Sequence, residues 1–197
     1  SSDLMDYTTD AFGREAEAFV RRHADQPWFL YLAFNAVHTP MDATEARLAK
    51  LAGIADKKRR TYAAMMSALD DNIGRVRRAL KDSGQEGRTL VFFISDNGGP
   101  TKELTSSNAP LRGGKGELWE GGIRVPFVAS WKGTLPAGRV VNVPVTSMDA
   151  PATALEIAGA TNANASPPRC SMFASVLVIR LSTQITRCPR STRYSQR

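Results

Sequence analysis

Apolar and polar residues along the chain fall into blocks of two periods, and the blocks follow one another as helix, strand, helix, strand. Over residues 9–23, Phe12, Ala16, Phe19 and Val20 recur at three- and four-residue intervals. Arg21, Arg22 and His23 close that block, where positive charge suits the carboxyl-terminal pole of a helix. The run PWFLYLAF, residues 27–34, is almost continuously apolar and too short for an amphipathic helix, so it predicts a buried strand. It ends at the loop NAVHTPM, bounded by Pro40. The longest periodic block, 56–83, carries Tyr62, Met65, Met66, Leu69, Ile73, Val76 and Leu80 on one face, with Asp56 able to cap its start and Gly84 its end. RTLVFFIS, residues 88–95, predicts a second buried strand, and VPFVASW, residues 125–131, a short third. A last helix is expected over 149–158, with Ala152, Leu155 and Ile157 partly buried. This alternation predicts an α/β fold, a mostly parallel sheet flanked by helices. MFASVLVIRL, residues 172–181, has the composition of a strand, but its Ser-, Thr-, Pro- and Arg-rich surroundings show no clear period.

A length of 197 residues allows one domain with a real core. The net charge of +7 suggests a polyanion only until its distribution is considered. From Thr161 onward there are Arg169, Arg180, Arg187, Arg190, Arg193 and Arg197 but no acid, so residues 1–160 hold 20 basic groups against 19 acidic ones. A nearly neutral body with a basic tail, and no groove-reading motif, argues against nucleic acid as a partner. Cys170 and Cys188 both lie in that tail, so the body has no thiol for a disulfide or a nucleophile. No stretch approaches the roughly 20 apolar residues of a membrane span, and SSDLMDYTTD lacks the charged start and apolar middle of a signal peptide.

Three stretches carry candidate chemistry. In LVFFISDNGGP the apolar run stops at Asp96 and Asn97, which would stand at the carboxyl end of a central strand. Ligands bind at that edge in open α/β sheets, and a carboxylate beside an amide offers hard oxygens to a metal ion. Taken alone the same residues make an ordinary turn. LRGGKGELWEGGIRVP, residues 111–126, fails both the Walker and the dinucleotide spacing. Its glycines would let backbone approach a ligand and Lys115 would bring a compact positive charge to an anion; a surface loop with a solvated lysine is the other reading. His38, just beyond the first strand, could hold a proton near neutrality or simply bond to backbone. His23 and the adjacent Asp70 and Asp71 are assigned no chemistry.

The order of five segments, PWFLYLAFNAVHTPM, YAAMMSALDDNIGRV, VFFISDNGGP, GGKGELWEGGIRVPFVASWKG and VTSMDAPATALEIAGA, resembles the second half of the catalytic domain of type I sulfatases, the arylsulfatase group of the alkaline phosphatase superfamily. The resemblance covers about residues 3–160. It implies an alkaline-phosphatase-like α/β fold and hydrolysis of sulfate monoesters on sugars or aryl alcohols. It also implies that Asp96 and Asn97 ligate a divalent cation, usually calcium with magnesium the other choice, and that Lys115 contacts the sulfate. His38 would lie beside the sulfate and the leaving oxygen, with substrate binding and proton donation as its roles. Glu120 and Arg124 are read as structural partners within their loop.

The chain also departs from the family pattern. Family members attack sulfur with a formylglycine made in a C/S-x-P-x-R segment, and this sequence contains none: SMFA follows Cys170 and PRST follows Cys188. The resemblance therefore implies a catalytic domain truncated at its N-terminus, with the nucleophile and the remaining metal ligands upstream of Ser1, and a chain inactive by itself. Beyond residue 160 the family's continuation is replaced by the basic tail, 161–197, for which a shifted reading frame, disorder and a genuine extension are the alternatives. A phosphate or phosphonate monoester hydrolase of the same superfamily and a noncatalytic binder of sulfated glycans are the rival functions.

Overall fold

The computed structural model describes residues 7–101, 105–159 and 175–181, with Arg180 and Leu181 described in their backbone alone. In chain order the elements are α1 (Thr8–Arg22), β1 (Phe29–Phe34), α2 (Glu45–Lys50), α3 (Lys57–Asp82), β2 (Thr89–Ser95), α4 (Glu120–Ile123), β3 (Phe127–Ser130), α5 (Asp149–Ile157) and β4 (Ser175–Leu181). One turn of 3-10 helix, Glu86–Arg88, leads into β2. The strands form a single sheet in the order β1-β4-β2-β3. β4 is parallel to both β1 and β2, and β3 closes the other side antiparallel to β2.

The sheet separates two cores. Leu177 and Ile179 of β4 turn toward α1 and α3, where they join Leu32, Phe34, Val20, Met65, Leu69 and Val76. Val176 and Val178, one residue out of phase, turn the other way with Leu90, Phe92 and Ile94 of β2 and meet Ala150 and Ala154 of α5. This is the two-residue alternation of a strand covered on both faces. β4 is the strand expected within 172–181; the remainder of the basic tail, with both cysteines, lies outside the described residues.

The ends of α3 form as the sequence predicts. Asp56 accepts the Arg59 N–H at 2.6 Å, which satisfies one open donor of the first turn. At the other end Gly84 takes φ 68°, and the amides of Gly84 and Gln85 close back on the carbonyls of Lys81 and Leu80 at 3.0 and 2.8 Å. That paired closure needs a residue free to enter the left-handed region, which glycine does at no steric cost.

Two local expectations are corrected. β1 is not buried on both faces: it is the edge strand, and Phe29 and Tyr31 are 53% and 50% exposed. In α5 the inward side is Ala150 and Ala154 with Ile157 partly buried, while Ala152 and Leu155 face outward. A nine-residue helix with apolar residues at most positions does not reveal its phase. The short α2, for which no sequence pattern made a prediction, has no buried residue to mark it. Its Arg47 is instead held by Asp10 of α1 at 3.0 Å and Asp71 of α3 at 2.5 Å. Asp71 is thus a helix-packing group, as its position on α3 suggested.

The α1–α3 contact also carries Glu17, which accepts from Arg21 and from Arg75 at 3.1 Å each. Burial acts to raise the pKa of this carboxyl, but the two guanidinium groups outweigh it and the net displacement is downward. A carboxylate depressed on folding contributes stability above its ordinary pKa and loses it as pH falls through the folded value. Glu17→Gln is therefore expected to lower stability by about 0.2–1 kcal/mol at neutral pH. Urea denaturation should show the two proteins converging in strong acid; a gap that persists there would mean the carboxylate is not the cause. For the sheet, Leu177→Ala should cost about 2–5 kcal/mol, as expected for a fully buried leucine. Leu155→Ala, at a 57% exposed position, should stay within about 0.5 kcal/mol. Equal midpoints for the two variants would remove β4 from the core.

Candidate active site

Parallel pairing through β4 sets two chain exits at one level. Phe34, the last residue of β1, and Ser95, the last of β2, are both in register with Leu181. With neighbouring strands about 4.8 Å apart, the two exits stand about 10 Å apart at the same carboxyl edge. Asp96 and Asn97 follow immediately after the second exit, and His38 follows four residues after the first.

The loop leaving β1 turns back at once, with the His38 N–H donating to the Asn35 carbonyl at 2.8 Å. The imidazole is fixed from both ends. Nδ1 lies 2.7 Å from the Thr39 carbonyl, an acceptor only, so Nδ1 carries a proton and donates it. Nε2 lies 2.9 Å from Lys115 Nζ and accepts from the ammonium. His38 and Lys115, 77 residues apart in sequence, thus meet in a partly exposed pair.

Lys115 reaches that position because its loop is stitched to the one leaving β2. Gly98 N–H donates to the Gly122 carbonyl at 2.8 Å, and the Lys115 N–H to the Gly99 carbonyl at 3.3 Å. A methyl group on Gly98 would overlap the Gly121 carbonyl oxygen, so the close approach requires glycine there. The second loop is held within itself by Gly121 N–H on the Arg112 carbonyl at 2.7 Å and Gly122 N–H on the Trp119 carbonyl at 2.8 Å. Glu117 adds its carboxylate, 3.1 Å from the Gly114 N–H. The glycines of residues 113–122 therefore bring backbone against backbone, where the sequence alone suggested backbone against a ligand. Glu120 and Arg124 pair at 3.3 Å within their own loop, as expected of structural partners. Arg112 stacks over the Trp119 ring at 3.8 Å.

Asp96 and Asn97 stand on the strand side of this seam, three and two residues before Gly99. Ser95 Oγ donates to the Asn97 carbonyl at 3.0 Å, and Asn97 Nδ2 donates to the Gly98 carbonyl at 2.8 Å. With its amide nitrogen committed to the backbone, Asn97 has Oδ1 left as a hard oxygen donor beside a carboxylate, which is the chemistry a calcium or magnesium ion selects. The fit is that of a partial set: among the described residues no group of three or more His, Cys, Asp or Glu could hold a metal ion.

Sequence reasoning missed Asn108. Its carboxamide is buried between the two loops and bonds to both, although the surrounding SSNAP reads as plain loop. His23, assigned no chemistry, bonds through Nδ1 to the Phe19 carbonyl at 2.8 Å inside α1 and its cap.

Lys115 and His38 are in contact, and Asp96 and Asn97 follow a strand that ends at the same carboxyl edge of a mostly parallel sheet in an α/β protein. Comparison with known proteins gives that class a family. The sulfatase family model matches residues 2–160. The chain is 34% identical over 163 residues to human arylsulfatase D, covering 79% of this chain and 26% of that protein. It is 36% identical over 156 residues to N-acetylgalactosamine-6-sulfatase of Sus scrofa, covering 77% and 29%. It superposes on the crystal structure of Ps i-CgsB in complex with k-i-k-neocarrahexaose with TM-score 0.74 and 42% identity, over 78% of this chain and 34% of that one. The chain belongs to the sulfatase family, and its α/β fold is the alkaline-phosphatase-like one. It spans between about a quarter and a third of the length of these relatives. Among the described residues, no helix is long and apolar enough to cross a membrane.

The seam makes a prediction of its own. Gly98→Ala must push the added carbon against rigid backbone, so it should destabilise the protein at the upper end of the about 1–3 kcal/mol typical of overpacking. Gly53→Ala, with open space around the added carbon, should change stability by less than about 0.5 kcal/mol. Comparable thermal midpoints for the two would show that the loops do not pack this closely.

Proposed function

We propose that the whole protein hydrolyses sulfate monoesters and that the residues at the carboxyl edge of the sheet form the anion-binding part of its active site. The observation that carries this reading is the contact between Lys115 Nζ and His38 Nε2. A sulfate monoester spreads negative charge over three oxygens, and its bridging oxygen gains charge as the bond to sulfur breaks. Lys115 has three N–H donors; one is directed at His38, which leaves two for sulfate oxygens. His38, held in orientation through Nδ1, accepts from Lys115 at Nε2; it can donate to the departing oxygen once that bond is released and Nε2 has taken up a proton. Both groups offset charge where it develops in the reaction.

Asp96 and Asn97 are proposed as two ligands of a divalent cation, calcium first and magnesium second. Such an ion, when bound, would supply positive charge against the sulfate oxygens. Names among the relatives, N-acetylgalactosamine-6-sulfatase and a complex with neocarrahexaose, support sulfated sugars as the substrate class, with aryl sulfates the simpler mimic. The sequence holds no segment from which a formylglycine is made, so the 197-residue chain is expected to bind sulfate but not to turn a sulfate ester over.

Calorimetric titration of inorganic sulfate into the chain should give binding that Lys115→Ala weakens about tenfold, or about 1.4 kcal/mol. Asp96→Ala should abolish calcium binding, and aryl sulfate hydrolysis should stay at background. Undiminished sulfate affinity in Lys115→Ala would overturn the reading of the site, and turnover by the wild-type chain would reveal a different nucleophile.

A further inference from the structure

We infer that Asn108 is a positioning residue for the sulfate site: its carboxamide sets the distance between the lysine that meets the anion and the strand end that carries Asp96 and Asn97. This rests on the reading of Lys115 as the sulfate contact. Asn108 is 7% exposed and its side chain makes three bonds of 2.9 Å. Oδ1 accepts the Gly99 N–H, and Nδ2 donates to the Gly99 and Gly113 carbonyls. Both amide hydrogens are used, and each goes to a different loop.

Gly99 is the node of the arrangement. Its carbonyl receives Asn108 Nδ2 and also the backbone N–H of Lys115, so one oxygen fixes the clamp and the lysine together. There is no room for another solution: a methyl group on Gly99 would meet Ser106 Oγ, and one on Gly114 would meet the Gly99 carbonyl oxygen. Removing the carboxamide deletes its three bonds, two to Gly99 and one to the Gly113 carbonyl. The turn between Gly113 and Gly116 that aims Lys115 at His38 then loses one of its anchors to the loop leaving β2, and the long Lys115 N–H bond to the Gly99 carbonyl is left to hold it. A buried acceptor such as the Gly113 carbonyl costs more without its partner than the bond itself contributed, so the loop is expected to shift to a new arrangement. The effect reaches the anion through Lys115, because Asn108 has no donor left for it.

Histidine 15N spectra test this without any ligand. The chain has two histidines, so the signals are readily told apart, and His23 in α1 serves as the internal control. Lys115→Ala should move the His38 Nε2 resonance, because the Lys115 bond is lost. Asn108→Ala should move it in the same direction with His23 unchanged, and the double variant should match Lys115→Ala. Sulfate affinity should follow: a loss of about five- to tenfold in Asn108→Ala, and no more than about twofold beyond Lys115→Ala in the double variant. If Asn108→Ala disturbs His23 as well, Asn108→Asp replaces it. That isosteric change keeps the acceptor for the Gly99 N–H but sets oxygen against both carbonyls, and it should give the same His38 shift. A wild-type His38 signal in a folded Asn108 variant would overturn the inference, as would losses from Asn108 and Lys115 that simply add. An effect of Asn108 on the His38 signal without any effect of Lys115→Ala on sulfate affinity would uphold the clamp and sink only the assignment of Lys115 to the anion.

Discussion

The parallel pairing of β1 and β2 with the strand between them is the constraint on which everything at the site depends. β1 and β2 are not neighbours in the sheet, so the separation of their exits is fixed by β4 and by the level at which all three strands end. A slip of one residue in either pairing would turn every side chain of that strand to the opposite face, exchanging Leu177 and Ile179 with Val176 and Val178 between two differently shaped cores. The register is therefore enforced by packing far below the site. His38 and Asp96 inherit a fixed relation from residues that never approach them.

The strands bring the loops only to within reach; the glycine seam completes the approach. Where Gly98, Gly99, Gly114, Gly121 and Gly122 meet, no side chain separates the two backbones, and the contacts are hydrogen bonds between main-chain groups and one amide. Main-chain bonds are directional, and although that of Lys115 is long at 3.3 Å, the shorter ones at Gly98, Gly121 and Gly122 hold its loop in place. The pair with His38 is then a consequence of geometry imposed from the β2 side, since the imidazole is held independently by Thr39.

The long periodic elements were legible because their signals are redundant. In α3, seven apolar positions agree on one face, and both caps are read from single residues whose chemistry admits few alternatives. β2 was legible for the same reason, as an apolar run bounded by turn chemistry. What escaped was decided by tertiary contacts that leave no local trace. The edge position of β1 depends on which strand lies beside it, and the phase of α5 on the side from which β2 approaches. Asn108 is the sharpest case: an amide in a polar loop looks identical whether it faces water or joins two loops that are neighbours only in the folded chain. The candidate residues themselves were found through motif order, and the structure adds that His38 and Lys115 touch and that Asp96 and Asn97 sit at the same edge.

The glycine-rich loop also bears on why the proposed anion contact is a side chain. In phosphate-binding loops the glycines expose successive N–H groups to the ligand, and the backbone does the binding. Here the amides of Gly98, Gly99, Gly114, Lys115, Gly121 and Gly122 are all committed to acceptors within the protein. Lys115 Nζ remains with two hydrogens beyond its bond to His38, at the outer face of a loop in which these amides are satisfied internally. An ammonium is a compact charge with rotatable donors, suited to the tetrahedral spread of sulfate oxygens, and it can follow the anion as charge moves from sulfur toward the leaving oxygen. A loop that had kept its amides for the ligand would bind the ground-state oxyanion more rigidly. It would also lack the contact that joins Lys115 to His38.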